Sequence, residues 1–226
     1  MNDIFERSKG LLGEERCNKL KDKTIAVIGL GGVGGTALES LARTGIENFI
    51  IIDFDVVDSS NLNRQILYTY QDIGKEKVVV AKQRIESINP NVKISAISAK
   101  IGAELPNLLN KYRVDFIVDA IDDVNGKVQI VKYAINNKIP FIISLGMANR
   151  LDPSKVFITR LDKTTNDPLA RKFRYELKKE GIDTKEVKCV VSSEQPFKEG
   201  NKLFSLMQVP SSSGLNISYY VLEYFK

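Results

Sequence analysis

The sequence predicts an α/β fold: a doubly wound, mostly parallel sheet with a C-terminal elaboration of short strands and helices. Strand and helix patterns alternate over the first two thirds of the 226 residues, and the strand patterns are almost wholly apolar. The first of them runs directly into the glycine-rich stretch 28–34. Apolar strands alternating with helices are typical of a Rossmann-type parallel sheet covered on both faces. We expect one domain over residues 1–226, with a nucleotide-binding core at 1–150 and the elaboration at 151–226.

The elements of the core follow from apolar periodicity. Strands are predicted at 24–29, 49–53, 92–98, 114–119 and 140–144, and helices at 32–44, 75–88 and 124–136. Gly45 ends the first of these helices, and Asn89-Pro90 ends the second because a residue before proline disfavours helical backbone. In the last third, strands are predicted at 156–161, 188–192 and 203–209. A helix begins at Asp167-Pro168 and ends at Gly181, and a closing helix spans 211–225.

The composition excludes several kinds of chemistry. The chain has no histidine, which removes Ser-His and Cys-His nucleophile pairs and the commonest zinc ligand. Its two cysteines, Cys17 and Cys189, are too few for a four-thiolate zinc site, so no zinc is expected. Phosphoryl and adenylyl transfer tolerate this composition, because the protein then works mainly by positioning and electrostatics.

Location and partners follow from the same data. No apolar run is long enough to span a membrane, the N-terminus is polar, and cysteines are few, so a cytoplasmic protein is expected. The net charge of +5 is compatible with an RNA partner, although ordinary surface lysines explain it equally well. No DNA partner is predicted.

The glycine loop lies between a predicted strand and a predicted helix, where a nucleotide phosphate binds. Gly29, Gly31, Gly32 and Gly34 let the backbone approach phosphate oxygens, and the helix N-terminus offers free N–H groups. No P-loop signature occurs. Asp53, at the end of the next strand, is placed to meet ribose hydroxyls, which serves NAD and ATP equally.

Cationic residues after the second strand favour ATP chemistry. Arg64 and Gln65 are placed to reach over a bound triphosphate, where a guanidinium stabilises charge on the α-phosphate and on leaving pyrophosphate. Lys77 in the next helix supplies a second cation, unless it is a solvated surface lysine. Asp119 and Asp122 end the fourth predicted strand. Both are expected to face the nucleotide, and one of them to hold magnesium.

These segments resemble the adenylating superfamily of ubiquitin-activating-type enzymes. The likeness is carried by 29–34, Asp53-Phe54-Asp55, 61–65, 74–77 and Asp122. The resemblance implies that ATP or its magnesium is contacted by Asp53, Asp55, Asn61, Asn63, Arg64, Gln65, Lys77 and Asp122. It also implies a homodimer in which Arg7 crosses the interface to the triphosphate of the other subunit.

Within the superfamily the chain is similar to the tRNA threonylcarbamoyladenosine dehydratase branch. The segments that favour this branch are 146–153, 167–170 and Cys189 with 192–194. The branch implies that the threonyl carboxylate of the modified tRNA attacks the α-phosphate of ATP, pyrophosphate leaves, and ring closure expels AMP. Because ring closure is intramolecular, proximity supplies much of its rate. The sequence leaves open whether a monovalent cation or a sulfur-relay protein takes part.

Two further features have competing explanations. Cys189 is either a substrate-contacting nucleophile or a buried structural thiol. Arg171, Lys172 and Arg174, on the helix that begins at Asp167, form either a tRNA-binding face or a solvated one.

Three alternative functions remain at this stage. A sister enzyme would adenylate the C-terminal glycine of a ubiquitin-like sulfur carrier, although the paired CxxC motifs usual there are absent. An NAD-dependent oxidoreductase leaves Arg7, Arg64 and Lys77 without a role. An ATP-binding sensor would keep the site without turnover.

Overall fold

The computed structural model describes residues 4–200 and 202–226. Its strands are β1 (Thr24–Ile28), β2 (Asn48–Ile52), β3 (Lys93–Ile97), β4 (Phe116–Asp119), β5 (Phe141–Ser144), β6 (Val156–Arg160) and β7 (Lys188–Ser192). Its helices are α1 (Glu6–Leu12), α2 (Glu14–Lys21), α3 (Gly32–Thr44), α4 (Lys77–Ile88), α5 (Leu105–Leu109), α6 (Val124–Asn136), α7 (Pro168–Lys179) and α8 (Gln208–Tyr224). The described strands form one sheet in the order β3-β2-β1-β4-β5-β7-β6, with parallel neighbours apart from β6 and β7.

Both faces of the sheet are buried, which confirms the predicted doubly wound α/β fold. On β1, Ile25 and Val27 join a core formed with α3, α4 and α8. The alternate residues Ala26 and Ile28 join a second core formed with α5 and α6. A third cluster packs α7 against α6 and the β5–β7 end of the sheet. Strands buried on both faces must be apolar at every position, and this explains the continuous apolar runs in the sequence.

The chain reverses its direction across the sheet between β1 and β4. From β1 it continues to β2 and β3 on one side, and β4 and β5 lie on the other. The loops after β1 and β4 therefore lie side by side, at the point where open α/β sheets bind ligands. They touch at Gly29, which has φ +88°, and a Cβ there would lie 2.8 Å from the Ala120 carbonyl carbon. Only glycine fits this position.

The predicted strand 203–209 is wrong. Residues 202–206 are irregular and α8 begins at Gln208. The backbone of this segment bonds to asparagine side chains instead of a sheet edge: Phe204 N donates to Asn149 Oδ1 at 2.5 Å, and Ser205 O accepts from Asn63 Nδ2 at 2.8 Å. The short helices α1 and α5 were not predicted. None of the helices in the described part combines the length and apolar character that a bilayer crossing needs.

Candidate active site

The loop after β1 is held by two side chains from other elements. Asp53 Oδ2 accepts a hydrogen bond from Leu30 N at 2.6 Å, and Asp53 Oδ1 accepts one from Asp55 N at 2.9 Å. On the other side of the loop, the Tyr68 hydroxyl donates to Leu30 O at 2.9 Å. Asp53 therefore fixes the glycine loop as well as lying beside it.

The first turn of α3 presents its backbone toward the crevice. A Cβ on Gly34 would lie 1.8 Å from Gly29 O, so the loop closes on itself too tightly for any side chain there. Among the described residues no side chain caps the N-terminus of α3. The N–H groups of the first turn, which begins at Gly32, are thus available to an anionic ligand, and the helix dipole favours one.

A tight turn after β2 carries the polar segment to this loop. Asn61 Oδ1 accepts from Asp58 N at 3.2 Å, and Asn61 O accepts from Arg64 N and Gln65 N. Asn61 thus supports the turn from within. The Gln65 side chain is buried, and its Nε2 lies 3.9 Å from the position that a Cβ on Gly31 would take. Gln65 Oε1 has no hydrogen-bond partner within the described residues. An unsatisfied buried amide beside the glycine loop is suited to a ligand that completes its bonding.

Arg64 is oriented by its neighbours but keeps most of its donors. Its Nη1 donates to Ser60 O at 2.6 Å and to Asn63 Oδ1 at 2.9 Å. Asn63 in turn donates to Ser205 O. No partner among the described residues occupies Nε or Nη2 of Arg64, so this guanidinium retains donors for an anion.

Lys77 is buried and paired, and is not a solvated surface lysine. It is the first residue of α4, and its Nζ lies 2.8 Å from Asp55 Oδ2. The side chain of Lys77 is 5% exposed, whereas that of Asp55 is 46% exposed. The ammonium group is therefore held in place beside the carboxyl end of β2 by a carboxylate that itself faces solvent.

Of the acids at the end of β4, Asp119 does not face the nucleotide crevice, and that prediction is wrong. Asp119 is fully buried and accepts a hydrogen bond from Lys127 Nζ at 2.9 Å. Lys127, also fully buried, donates to Ser144 O as well, so the pair joins β4, α6 and β5. Asp123, at the start of α6, accepts from Gly126 N and caps that helix. Asp122 is exposed, and no hydrogen bond to its carboxylate is present among the described residues.

Cys189 and Arg174, for which the sequence left two explanations open, both have structural surroundings. Cys189 lies in β7 with no exposed surface, and burial raises the pKa of its thiol to about 12. This position does not support a nucleophilic role. Arg174 donates to the Thr164 and Leu161 carbonyl oxygens and thereby joins α7 to the preceding turn. Arg171 and Lys172 remain exposed on α7.

Sequence reasoning missed Tyr68 and Arg150. Burial raises the pKa of the Tyr68 hydroxyl, which stays protonated and can donate to the glycine loop. The Arg150 guanidinium donates to Asn166 O at 3.0 Å and to Glu194 O at 3.2 Å, and also to Gly146 O. It joins the loops that follow β5 and β7 to the turn before α7. No local sequence pattern predicts the role of either residue, because both form their hydrogen bonds with segments distant in sequence.

Arg7 lies exposed on α1, and no ion pair to it is present among the described residues. Whether it reaches a second subunit remains a prediction.

This chain is similar to known proteins in both sequence and structure. The chain is 38% identical to the tRNA threonylcarbamoyladenosine dehydratase of Bacillus subtilis over 193 residues, which cover 85% of this chain and 76% of the relative. It is 36% identical to the Escherichia coli enzyme of the same name, over 84% of this chain and 73% of that one. The crystal structure of the Escherichia coli dehydratase in complex with ATP superimposes with a TM-score of 0.94 at 32% identity, covering 98% of this chain and 93% of the other. The sequence profile of the ThiF family matches residues 5–192, and this protein therefore belongs to the ThiF family.

Proposed function

We propose that this protein is an ATP-dependent tRNA threonylcarbamoyladenosine dehydratase. The observation that carries the proposal is the grouping of the glycine loop, Arg64 and Lys77 beyond the carboxyl ends of β1 and β2. This grouping occurs in a chain that is similar over 98% of its length to a dehydratase solved with ATP. Hydride transfer builds no charge on a phosphate in its transition state, whereas attack on the α-phosphate does, and two oriented cations offset that charge.

The residues present fit ATP. Free N–H groups at the start of α3 suit the phosphates. The Asp53 carboxylate has acceptor capacity left beyond its two backbone hydrogen bonds, which suits the ribose hydroxyls. The unpaired amide oxygen of Gln65 suits a further donor from the nucleotide or its water.

The reaction begins when the threonyl carboxylate of the modified adenosine attacks the α-phosphorus of ATP, and pyrophosphate leaves. Arg64 and Lys77 offset the negative charge that builds during this step, because both are oriented before substrate arrives. A carbamoyl nitrogen then attacks the activated carbonyl carbon and AMP departs with the former carboxylate oxygen. The net change is the loss of one water from the nucleoside. Ring closure needs no cysteine, in agreement with the buried position of Cys189.

Asp122 is the residue we assign to magnesium. It is exposed at the carboxyl end of β4, and within the described residues no group of three or more acidic or cysteine side chains is arranged as a complete metal site. A single carboxylate fits magnesium, which is usually held by one or two carboxylates together with phosphate oxygens. The ion would offset phosphate charge there.

We further propose a homodimer in which Arg7 of one subunit contacts the triphosphate of the other. An Arg7→Ala variant should remain dimeric by light scattering and lose activity. A dimeric variant with full activity would refute this role. Arg113→Ala is the matched control, since Arg113 is also exposed and lies in the loop before β4, outside the resemblance that implies a role for Arg7.

We also propose that Arg171 and Lys172 contact the tRNA backbone. Arg171→Glu with Lys172→Glu should weaken tRNA binding and flatten its salt dependence, because each phosphate contact releases counterions. Arg174 is left intact, since its side chain supports the fold. Lys111→Glu with Arg113→Glu, an equal charge reversal at two exposed cations before β4, is the control; equal effects of the two changes would exclude a specific face on α7.

The proposed function is tested by AMP and pyrophosphate release with tRNA carrying threonylcarbamoyladenosine, compared with unmodified tRNA, and by mass spectrometry of the nucleoside. We expect release only with the modified tRNA and the loss of one water from the base. Release only with a ubiquitin-like carrier protein would indicate a carrier-activating enzyme. No release with either substrate would indicate an ATP-binding sensor.

A further inference from the structure

The segment 197–206, whose residue 201 lies outside the described part of the chain, exposes apolar side chains beside the active site. Phe197 is 61% exposed, Leu203 78%, Phe204 43% and Leu206 51%. The Phe197 and Phe204 rings lie 6.4 Å apart between centroids. Apolar side chains grouped on one surface segment mark an interaction site more often than isolated ones do.

Hydrogen bonds to Asn149 hold the backbone at Phe197 and Phe204, whose side chains are not buried. Asn149 N donates to Phe204 O at 2.7 Å, Asn149 O accepts from Phe197 N at 2.7 Å, and Asn149 Oδ1 accepts from Phe204 N. Asn149 itself has φ +60°, a left-handed conformation that asparagine tolerates better than most residues. The backbone is thus held in place while the aromatic side chains stay exposed, an arrangement preorganised for a ligand.

The same segment is joined to the reacting centre through one residue. Asn63 donates to Ser205 O at 2.8 Å and accepts from Arg64 Nη1 at 2.9 Å. Ser205 is the neighbour of Phe204 in the chain. Arg64, the cation that we assign to the α-phosphate, is therefore linked by hydrogen bonds to the backbone next to Phe204.

We propose that Phe197 and Phe204 form the surface on which an unpaired base of the substrate RNA stacks. This inference rests on the proposed function, in which the reacting carboxylate is a substituent of an adenine base. Groups that recognise the bases must then lie near Arg64, and Asn63 links Arg64 to Ser205, the neighbour of Phe204. Proteins recognise unpaired RNA bases mainly by stacking them on aromatic side chains.

Charge selects RNA over a protein partner. Lys198 and Lys202 lie between the two phenylalanines in the sequence and are exposed, and the segment contains one acidic residue, Glu199. Lysines interspersed with exposed aromatic side chains suit a polyanion with exposed bases. The alternative occupant is a second copy of this chain, and the experiment separates the two.

The test uses an anticodon stem-loop RNA whose modified adenosine is unpaired, and measures its Kd by fluorescence anisotropy over a salt series. The combined Phe197→Leu and Phe204→Leu variant keeps apolar volume but loses both ring faces, and its Kd should rise about tenfold or more. Phe197→Tyr with Phe204→Tyr should bind like the wild type. Phe157→Leu, at an exposed phenylalanine on β6, is the matched control and should change nothing.

Further readouts identify the occupant. The leucine variant should keep the ATP affinity, the oligomeric state and the salt slope of the wild type. Lys198→Ala should reduce the slope of log Kd against log salt by about 0.7. Unchanged RNA affinity in the leucine variant would refute the stacking surface, and so would a change in oligomeric state with RNA affinity preserved. A wild type that binds the RNA but releases no AMP would instead refute the proposed function.

Discussion

The Nζ atom of Lys77 lies 2.8 Å from Oδ2 of Asp55, so two residues expected to meet ATP separately form a pair before ATP binds. The carboxylate follows β2 and the ammonium group begins α4, and the ion pair therefore aligns the helix with the strand that precedes it. The ammonium group of Lys77 is buried and held in place, whereas the ammonium group of an exposed lysine can move freely.

Replacing Lys77 by methionine should lower kcat for AMP release by about 100-fold, since one preorganised donor or cation contributes roughly that much to a charged transition state. The apolar stem of the side chain is retained, so Tm should move by only a few degrees, which differential scanning fluorimetry would measure. Lys75→Met is the control, because Lys75 is exposed and pairs with Asp72. Equal activity in the two variants would remove Lys77 from the mechanism.

Gly34→Ala should abolish ATP binding and destabilise the fold, since its Cβ would lie 1.8 Å from Gly29 O and force the loop open. Isothermal titration with ATP and Tm measurement would record both effects. Gly102→Ala is the matched control, with no atom within 4 Å of the added Cβ. Normal ATP affinity in Gly34→Ala would mean that the loop does not carry the nucleotide.

Lys127→Met should cost about 3–5 kcal/mol in the free energy of unfolding, because it leaves the Asp119 carboxylate buried without its partner. Urea denaturation would measure the loss. Adding Asp119→Asn should recover most of the lost stability. Removing both charges costs less than removing one, because a single remaining charge is buried without its partner.

The stability loss in the Lys127→Met variant should also depend on pH. Burial raises the pKa of Asp119, and Lys127 opposes that rise. Without Lys127 the pKa in the folded state rises further, so the folded protein binds the proton more tightly than the unfolded chain does. The stability gained from protonation is present below the unfolded pKa and is lost as pH rises through the folded pKa. The deficit of Lys127→Met relative to the wild type should therefore be smaller at about pH 5 than at about pH 7. A constant deficit would contradict this account.

Cys189 should be chemically silent in the folded protein. Burial raises the pKa of its thiol to about 12, so no thiolate forms at ordinary pH. In a Cys17→Ala background, a thiol reagent should label nothing until denaturant is added. Cys189→Ala should keep dehydratase activity at a stability cost of about 1 kcal/mol. Stoichiometric labelling of the native protein, or inactivity with an intact fold, would restore Cys189 as a candidate nucleophile.

Much of the fold could be predicted from local pattern. Strands buried on both faces produce continuous apolar runs, and β1, β2, β4 and β5 were predicted close to their observed bounds. The prediction of a strand at 203–209 is wrong because the apolar residues there have the pattern of a strand, whereas their backbone hydrogen-bonds to the side chains of Asn149 and Asn63, which are distant in sequence. The spacing of apolar residues reflects the character of the side chains. It does not show which distant group accepts a hydrogen bond from a backbone N–H.

The sequence by itself determined the kind of chemistry. Glycine spacing and the cations after the second strand indicate adenylyl transfer, and the absence of histidine is compatible with it, because those properties belong to the residues wherever they fold. Only the tertiary structure decided which charged groups are buried in pairs and which remain accessible. Asp119 and Asp122 look alike in sequence, yet one is buried against Lys127 and the other faces solvent. Burial and pairing are set by elements that meet only when the sheet assembles, and they determine whether a carboxylate stabilises the core or remains available to a ligand.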